Sequence, residues 1–301
     1  MQLPNFLVVG APRSGTTSIY EYLSEHPEIY LPVKKELHYF THDYLAKNSN
    51  GPKDMEMWYC KTLDEYKTFF QTIPSSARAV GDVSPSYLFF PECIPKIKEL
   101  LGEDVKIIMI LRNPIERAFS NYLHMVRLQR ETLNFFDALN AEEERLAKGW
   151  RNIWLYKRHS LYYEKVKRYI EEFGSSKVKV VLHDDFANNT LETMQDVYRF
   201  LDVAAEFVPK NINIIYGKSG SYKNRLVEFL IRPHPIKSFA KPFVLKKVLR
   251  IVKNFQVSHI GHNMKTEILQ DDHCIAFLQQ YFKKNINQLE HLLQVDLSMW
   301  K

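Results

Sequence analysis

The chain has 301 residues, 45% hydrophobic and 25% charged, with a net charge of +6; this is ordinary globular composition, sufficient for one large core, and a single domain over 1–301 is expected. Its three cysteines, Cys60, Cys93 and Cys274, are odd in number, far apart and outside any C-x-x-C pair, which argues against a disulfide framework or a zinc site and for a reducing compartment. The opening MQLPNFLVVG is too short for a signal sequence, and no later run approaches the roughly 18–20 apolar residues of a spanning helix, so a cytoplasmic protein is expected.

Asn5–Gly10 (NFLVVG) is a short apolar run closed by glycine, and GAPRSGTT leads from it into SIYEYLSEHP, where Ile19, Tyr20 and Leu23 recur at helical spacing. Strand, tight turn and helix are predicted in that order. A second apolar run, Ala79–Val83, ends at Ser84-Pro85. A third, VKIIMIL from Val105 to Leu111, is β-rich and apolar on both faces, the pattern of a central parallel strand. Pro114 suits the first turn of a helix running through ERAFSNYLHMVRL. Helical stretches around Phe135–Lys148 and Leu161–Phe173 precede VKVVLHDDF, a fourth strand with a polar exit, and Leu191–Leu201 is a further helix.

Beyond Asp202 the pattern loosens into NINIIYGKSGSYKN, and a last helix is predicted from Lys265 to Leu293. Between them, Lys223 to Lys253 carries nine Lys or Arg against one acid, Glu228, so the rest of the chain is near neutral. Such a basic helical excursion fits an anionic ligand, an acidic acceptor or weak peripheral contact with an anionic membrane; a solvated amphipathic face is the plainer alternative. The alternation of strands and helices predicts an α/β fold, a P-loop-like, doubly wound and mainly parallel sheet flanked by helices. Ligands of such sheets sit beyond the strand ends, which here are Gly10, Asp82, Leu111 and Leu182.

Gly10-Ala11-Pro12-Arg13-Ser14-Gly15-Thr16-Thr17 has the glycine spacing of a phosphate-binding loop, G-x-x-x-x-G-K-S/T, in which backbone N–H groups and a helix N-terminus face an anion. Where a nucleotide triphosphatase has lysine to reach the β- and γ-phosphates, this loop has Thr16, and its only cation, Arg13, lies inside the loop. A magnesium-dependent phosphotransferase also needs an aspartate at a second strand end to hold the metal, whereas KIIMIL runs into Arg112. A cation there suggests a second phosphate held by a bidentate guanidinium, with Ser120, just over two helical turns on, adding a hydroxyl.

These residues resemble the sulfotransferases that use 3′-phosphoadenylyl sulfate (PAPS). The glycine loop is similar to their 5′-phosphosulfate loop, and ILRNPIERAFSNYLHM to their 3′-phosphate segment. KKELHYF (34–40), GDVSPSYLF (81–89) and QLEHLLQVDLSMW (288–300) add further likenesses in family order, so the resemblance spans nearly the whole chain. It implies that PAPS is bound without a metal by Arg13, Ser14, Gly15, Thr16, Thr17, Arg112 and Ser120. Tyr216, Lys218, Ser219, Gly220 and Lys223 align with the family loop that closes over the nucleotide.

The resemblance also makes Glu36 the base, because heparan-type and many bacterial members place a glutamate in a segment like KELHYF. If that segment is extended, His38 at i+2 points to the same side, as an alternative base or an orienting partner. Arg13 stands where many relatives have lysine. Its implied role is to stabilise charge on the bridging oxygen of the leaving nucleotide, electrostatically, since a guanidinium does not deprotonate in proteins. Lys34 or Lys35 is expected to meet the sulfate or a phosphate, and Asp82, Ser84 and Tyr87 to lie at the acceptor site. Val83 replaces the lysine of heparan-modifying members, which weakens a glycosaminoglycan assignment. His183, with Asp184 and Asp185, reads as structural.

The implied activity is transfer of a sulfuryl group from PAPS to a hydroxyl, with an amine as second choice, of a carbohydrate, lipid or small-molecule acceptor, with no nucleic acid partner. One rival is a P-loop small-molecule kinase, motivated by the glycine spacing and opposed by Thr16 and Arg112. Another is a non-enzyme that binds anionic lipid, motivated by KPFVLKKVLRIVK, which looks more like an amphipathic helix than a reader of nucleic acid grooves.

Overall fold

Five runs of apolar, β-branched sequence assemble into one sheet in the computed structural model, which describes residues 2–47, 49–51, 57–214 and 272–301. The strands are β1 (Phe6–Gly10), β2 (Ile29–Tyr30), β3 (Ala79–Val83), β4 (Lys106–Leu111) and β5 (Val178–Leu182). Their order is β2-β3-β1-β4-β5, and every neighbouring pair is parallel. Helices α1 (Thr16–Ser24), α2 (His42–Lys47), α3 (Leu63–Thr68), α4 (Ile94–Leu101), α5 (Pro114–Arg127), α6 (Phe135–Asn140), α7 (Glu142–Ala147), α8 (Tyr163–Phe173), α9 (His183–Asn188), α10 (Thr190–Phe200) and α11 (Asp272–Leu293) surround it.

Alternation along each strand divides the core into two layers. Phe6 and Val8 of β1 pack with Ile108 and Ile110 of β4 against Ile19 and Leu23 of α1 and Val197 of α10. Leu7 and Val9 pack with Ile107 and Met109 on the other face, under α4, α5, α8 and α11. A sheet covered on both sides explains why β1 is buried throughout and reads as a continuous apolar run.

The expected α/β architecture is therefore present, with local differences. The Val105–Leu111 run is an interior strand, but the centre belongs to β1, which β3 and β4 flank. The edge strand β2 has only two residues, too few to carry a periodicity. The stretch Phe135–Lys148 is two helices, broken at Ala141, because the buried carboxylate of Glu142 accepts the backbone N–H groups of Lys157 and Arg158. The segment Tyr216–Lys223 and the basic stretch Lys223–Lys253 lie outside the described residues.

The chain leaves β1 toward the β2 side and later crosses back to β4, so the reversal of strand order falls at β1. All five strands point the same way, and their carboxyl ends open on one crevice at that reversal. Within the sheet, Gly81 pairs with Phe6. A Cβ on Gly81 would lie 2.2 Å from the Phe6 ring. Gly81→Ala should therefore cost about 1–3 kcal/mol by overpacking, seen as a lower urea midpoint at unchanged m-value.

Candidate active site

The loop after β1 is anchored to β4 by Ala11 N–H donating to Ile110 O (2.8 Å) and closed as a tight turn by Ser14 N–H donating to Ala11 O (3.2 Å). Gly15, at φ +102°, carries the chain into α1 through left-handed space that side chains rarely adopt. Ser14 Oγ is buried without a hydrogen-bond partner. The hydroxyl of Tyr162, also buried and unpartnered, faces it from the entry to α8 without reaching hydrogen-bond geometry. An unpartnered buried hydroxyl beside a nine-residue helix N-terminus fits a bound anion.

Arg112, at the exit of β4, ties this loop to α5. Its Nη1 donates to the carbonyl of Arg13 (3.3 Å), while Nε and Nη2 donate to Glu116 Oε2 (3.0 and 2.6 Å). Asn113 caps α5 by accepting from the N–H groups of Ile115 and Glu116. Ser120 is buried on the same helix. The Arg13 guanidinium is brought down to about 10, by burial first and then by repulsion from Arg127, Arg112 and Arg117. Four arginines so close together favour a negatively charged occupant.

Glu36 and His38 do not lie on an extended segment. Both occupy left-handed backbone, at φ 63° and 54°, as Arg13 does at φ 69°. The expected alignment of Glu36 and His38 on one side nevertheless results from this turn, with His38 Nε2 3.7 Å from Glu36 Oε2. Lys35 Nζ lies 3.4 Å from Glu36 Oε1 and donates to Thr17 Oγ1 in the phosphate loop (2.8 Å). Lys34 turns away, over the ring of Trp58. The Glu36 side chain is 45% exposed, open to a second substrate. Burial works to raise its pKa, but the interactions with His38 and Lys35 outweigh burial and hold it at about 2.

Asp82, Ser84 and Tyr87, expected at the acceptor site, are instead buried behind this turn. Asp82 accepts from the hydroxyls of Ser84 (2.7 Å), Tyr87 (2.7 Å) and Tyr66 (3.1 Å), which leaves it no free face. Burial raises the Asp82 pKa against the opposing effect of these three donors. Ser84 Oγ in turn accepts the N–H of His38 (3.1 Å), and Ser86 Oγ meets His38 Nδ1 (2.7 Å) and Thr41 Oγ1 (2.6 Å). The His38 ring is thus held at Nδ1 by Ser86 with Nε2 turned toward Glu36. The GDVSPSY segment is thus the bracket of the Glu36–His38 turn.

Tyr66, Ser86 and Tyr162 escaped the sequence reading because nothing local marks a tyrosine or serine whose partner comes from another element. His124 could have been found: it follows Ser120 by one helical turn in the segment already singled out. His124 Nδ1 accepts from Arg127 (3.0 Å). Its pKa falls to about 4 through burial and then the charges of Arg13, Arg127 and Arg130, with Glu36 acting in the opposite sense. The far end of α5 thus brings His124 within electrostatic reach of Arg13 and Glu36, and Arg127 within reach of Arg13. His183 stands beside Gly15, with Cδ2 3.8 Å from where a Cβ would sit. Among the described residues, no His, Cys, Asp and Glu cluster is arranged to hold a metal ion, and no helix is long and apolar enough to cross a membrane.

The family model described as the sulfotransferase family matches residues 4–206. The chain belongs to the sulfotransferase family. The matched residues contain all five strands together with Arg13, Glu36 and Arg112. A sulfotransferase from Alicyclobacillus acidocaldarius, known from a crystal structure, superposes with a TM-score of 0.76 at 32% identity, covering 100% of this chain and 99% of that one. The membrane-associated sulfotransferase kil1 of Dictyostelium discoideum is 35% identical over 120 residues, 40% of this chain and 22% of that protein. Bovine bifunctional heparan sulfate N-deacetylase/N-sulfotransferase 2 is 28% identical over 214 residues (67% and 22%). Mouse heparan sulfate glucosamine 3-O-sulfotransferase 5 is 25% identical over 216 residues (70% and 57%). The chain spans less than two thirds of each of these three relatives.

The low pKa of this family member's Glu36 depends on its neighbours. His38→Ala should raise it toward the ordinary carboxylate range of about 4.3, measured by carbon-13 titration of the side-chain carboxyl. Because the folded pKa is depressed, the stability it contributes is present above the unfolded value and is lost as pH falls toward about 2. An unchanged titration in the variant would contradict the assigned contact.

Proposed function

We propose that this protein transfers a sulfuryl group from PAPS to a hydroxyl, or an amine, of a carbohydrate, lipid or small-molecule acceptor without a metal ion. The observation that carries this reading is the meeting of a half-exposed carboxylate with the cations of a phosphate loop: Lys35 links Glu36 to Thr17, and Arg13 lies within electrostatic reach of Glu36. PAPS is the second substrate and supplies a sulfuryl group already bonded to a phosphate leaving group. That group carries less negative charge than a phosphoryl group, so a divalent cation is less needed.

On this reading Ser14, Gly15, Thr16, Thr17 and the α1 N-terminus hold the phosphosulfate, and Arg112 with Ser120 holds the 3′-phosphate. Glu36 takes the acceptor's proton as the acceptor oxygen or nitrogen bonds to sulfur. The electron pair of the breaking S–O bond stays on the bridging oxygen, where Arg13 and Lys35 stabilise it. His38 keeps the carboxylate turned toward the acceptor. Held between Lys35 and His38, Glu36 is a weak base; an arriving anion draws the cations and raises its pKa, so basicity grows when the donor is bound. Asp82, Ser84 and Tyr87 act at one remove, by holding this turn.

Two relatives named for heparan sulfate support a carbohydrate acceptor. Val83, where heparan-modifying members have lysine, counts against that polymer itself.

Calorimetric titration with adenosine 3′,5′-bisphosphate (PAP), and separately with ATP and Mg²⁺, is the direct test. PAP should bind and ATP should not compete; preference for ATP would return the protein to the kinase reading. Glu36→Gln should lower turnover by about 100-fold or more with PAP affinity retained. Arg112→Ala should instead weaken PAP binding, the larger effect falling on KM for PAPS.

A further inference from the structure

The segment after α11 lies outside the matched residues 4–206, yet it turns back onto the crevice. Leu297 N–H donates to Glu290 Oε1 (3.0 Å) and Ser298 N–H to Asp296 Oδ1 (2.8 Å), which fixes the turn Ser298–Trp300 to α11. Trp300 is only 3% exposed. Its indole N–H donates to Asp184 Oδ2 (3.2 Å), and its ring lies against Tyr162, with centroids 6.3 Å apart. The carbonyl of Met299 accepts from Asn113 Nδ2 (3.4 Å).

Each of these three partners touches the nucleotide crevice from a different side. Asp184 follows His183, whose ring stands beside Gly15, and its carboxylate feels the charge of Arg112. Tyr162 presents its hydroxyl to Ser14 and to the backbone of Arg112. Asn113 caps α5 directly after Arg112. One indole therefore braces the β5–α9 corner, the start of α8 and, through its neighbour, the start of α5. The loop and Arg112 follow neighbouring strands and are joined directly by the Arg112–Arg13 hydrogen bond, and the three corners back this pair from behind.

We propose that Trp300 is a positioning residue for the donor: through Asp184, Tyr162 and the Asn113 contact it braces from behind the corners against which the phosphate loop and Arg112 would hold a nucleoside bisphosphate. The inference rests on the donor reading above. It gives a task to the 288–300 segment, whose likeness to the family is visible in sequence but which contributes none of the groups assigned above.

The experiment compares PAP affinity by calorimetry, steady-state kinetics and melting temperature for the parent, Trp300→Phe and Trp300→Ala. Trp300→Phe keeps an aromatic ring against Tyr162 and loses the N–H. Its PAP affinity should fall by about 3- to 10-fold, the scale of one ordinary hydrogen bond, because the lost contact acts on the donor through Asp184. KM for PAPS should rise in step while kcat holds within about twofold. Trp300→Ala should fall further. Binding of PAP should also change the tryptophan emission of the parent, and that change should shrink in Trp300→Phe, a readout that stands even where the alanine variant fails to fold. Variants that bind PAP as the parent does would overturn the proposal, whatever their melting temperatures. A parent that does not bind PAP would instead sink the donor reading, and this inference with it.

Discussion

A carboxylate at the mouth of an anion site repels the ligand the site is built for, so Glu36 must be held in place by the fold. The holding begins at the buried Asp82. Three hydroxyl donors satisfy its carboxylate, one of them Ser84, and Ser84 and Ser86 then grip the backbone and ring of His38. Glu36 N–H also donates to Val83 O at the end of β3 (3.0 Å). Left-handed backbone at non-glycine residues costs on the order of 1 kcal/mol or more each, and persists only where surrounding contacts over-determine it. Arg13, Glu36 and His38 all carry that strain. Strain gathered at the groups assigned to chemistry, with a fully satisfied buried network behind them, is the pattern of a preorganised site.

Helix α5 organises the charge around that turn. Arg112, two residues before its first turn, reaches back to the Arg13 carbonyl, and Arg127, its last residue, bears on the Arg13 side chain. Arg117, in the first turn, is fully buried and fixed by Ser160 Oγ (2.6 Å) and the Tyr156 carbonyl (2.5 Å), so its charge is spent on the scaffold. The cations at the two ends of the helix, Arg112 beside Glu116 and Arg127 beside His124, lie about 20 Å apart along its axis by helical rise.

Much of this was legible in the residues because it is local. Glycine spacing, the proline after Arg112 and the two-sided apolar strands are consequences of backbone geometry, and they located the sheet, the loop and its strand exits. The role of Asp82, Ser84 and Tyr87 was less legible. Their residue types suggest a polar wall, and only the arrival of Tyr66 from α3 and of the His38 turn shows them facing inward. The pairing of Glu36 with His38 was expected from a pleated segment and arises from a left-handed turn. Tyr162 and Trp300 could not be given a place at the site, since Tyr162 faces Ser14 and Trp300 meets Asp184 only through the fold.

The Arg112–Glu116 pair has a bearing on how a ligand would leave. Glu116 lies one turn along α5 and already holds two of the guanidinium nitrogens, so the arginine has a carboxylate at hand whether or not a phosphate is present. An anion entering the crevice displaces a resident partner instead of meeting a bare cation, and its net gain is the difference between two ion pairs. A departing anion would thus leave Arg112 with Glu116 still at hand, without stranding a half-buried charge.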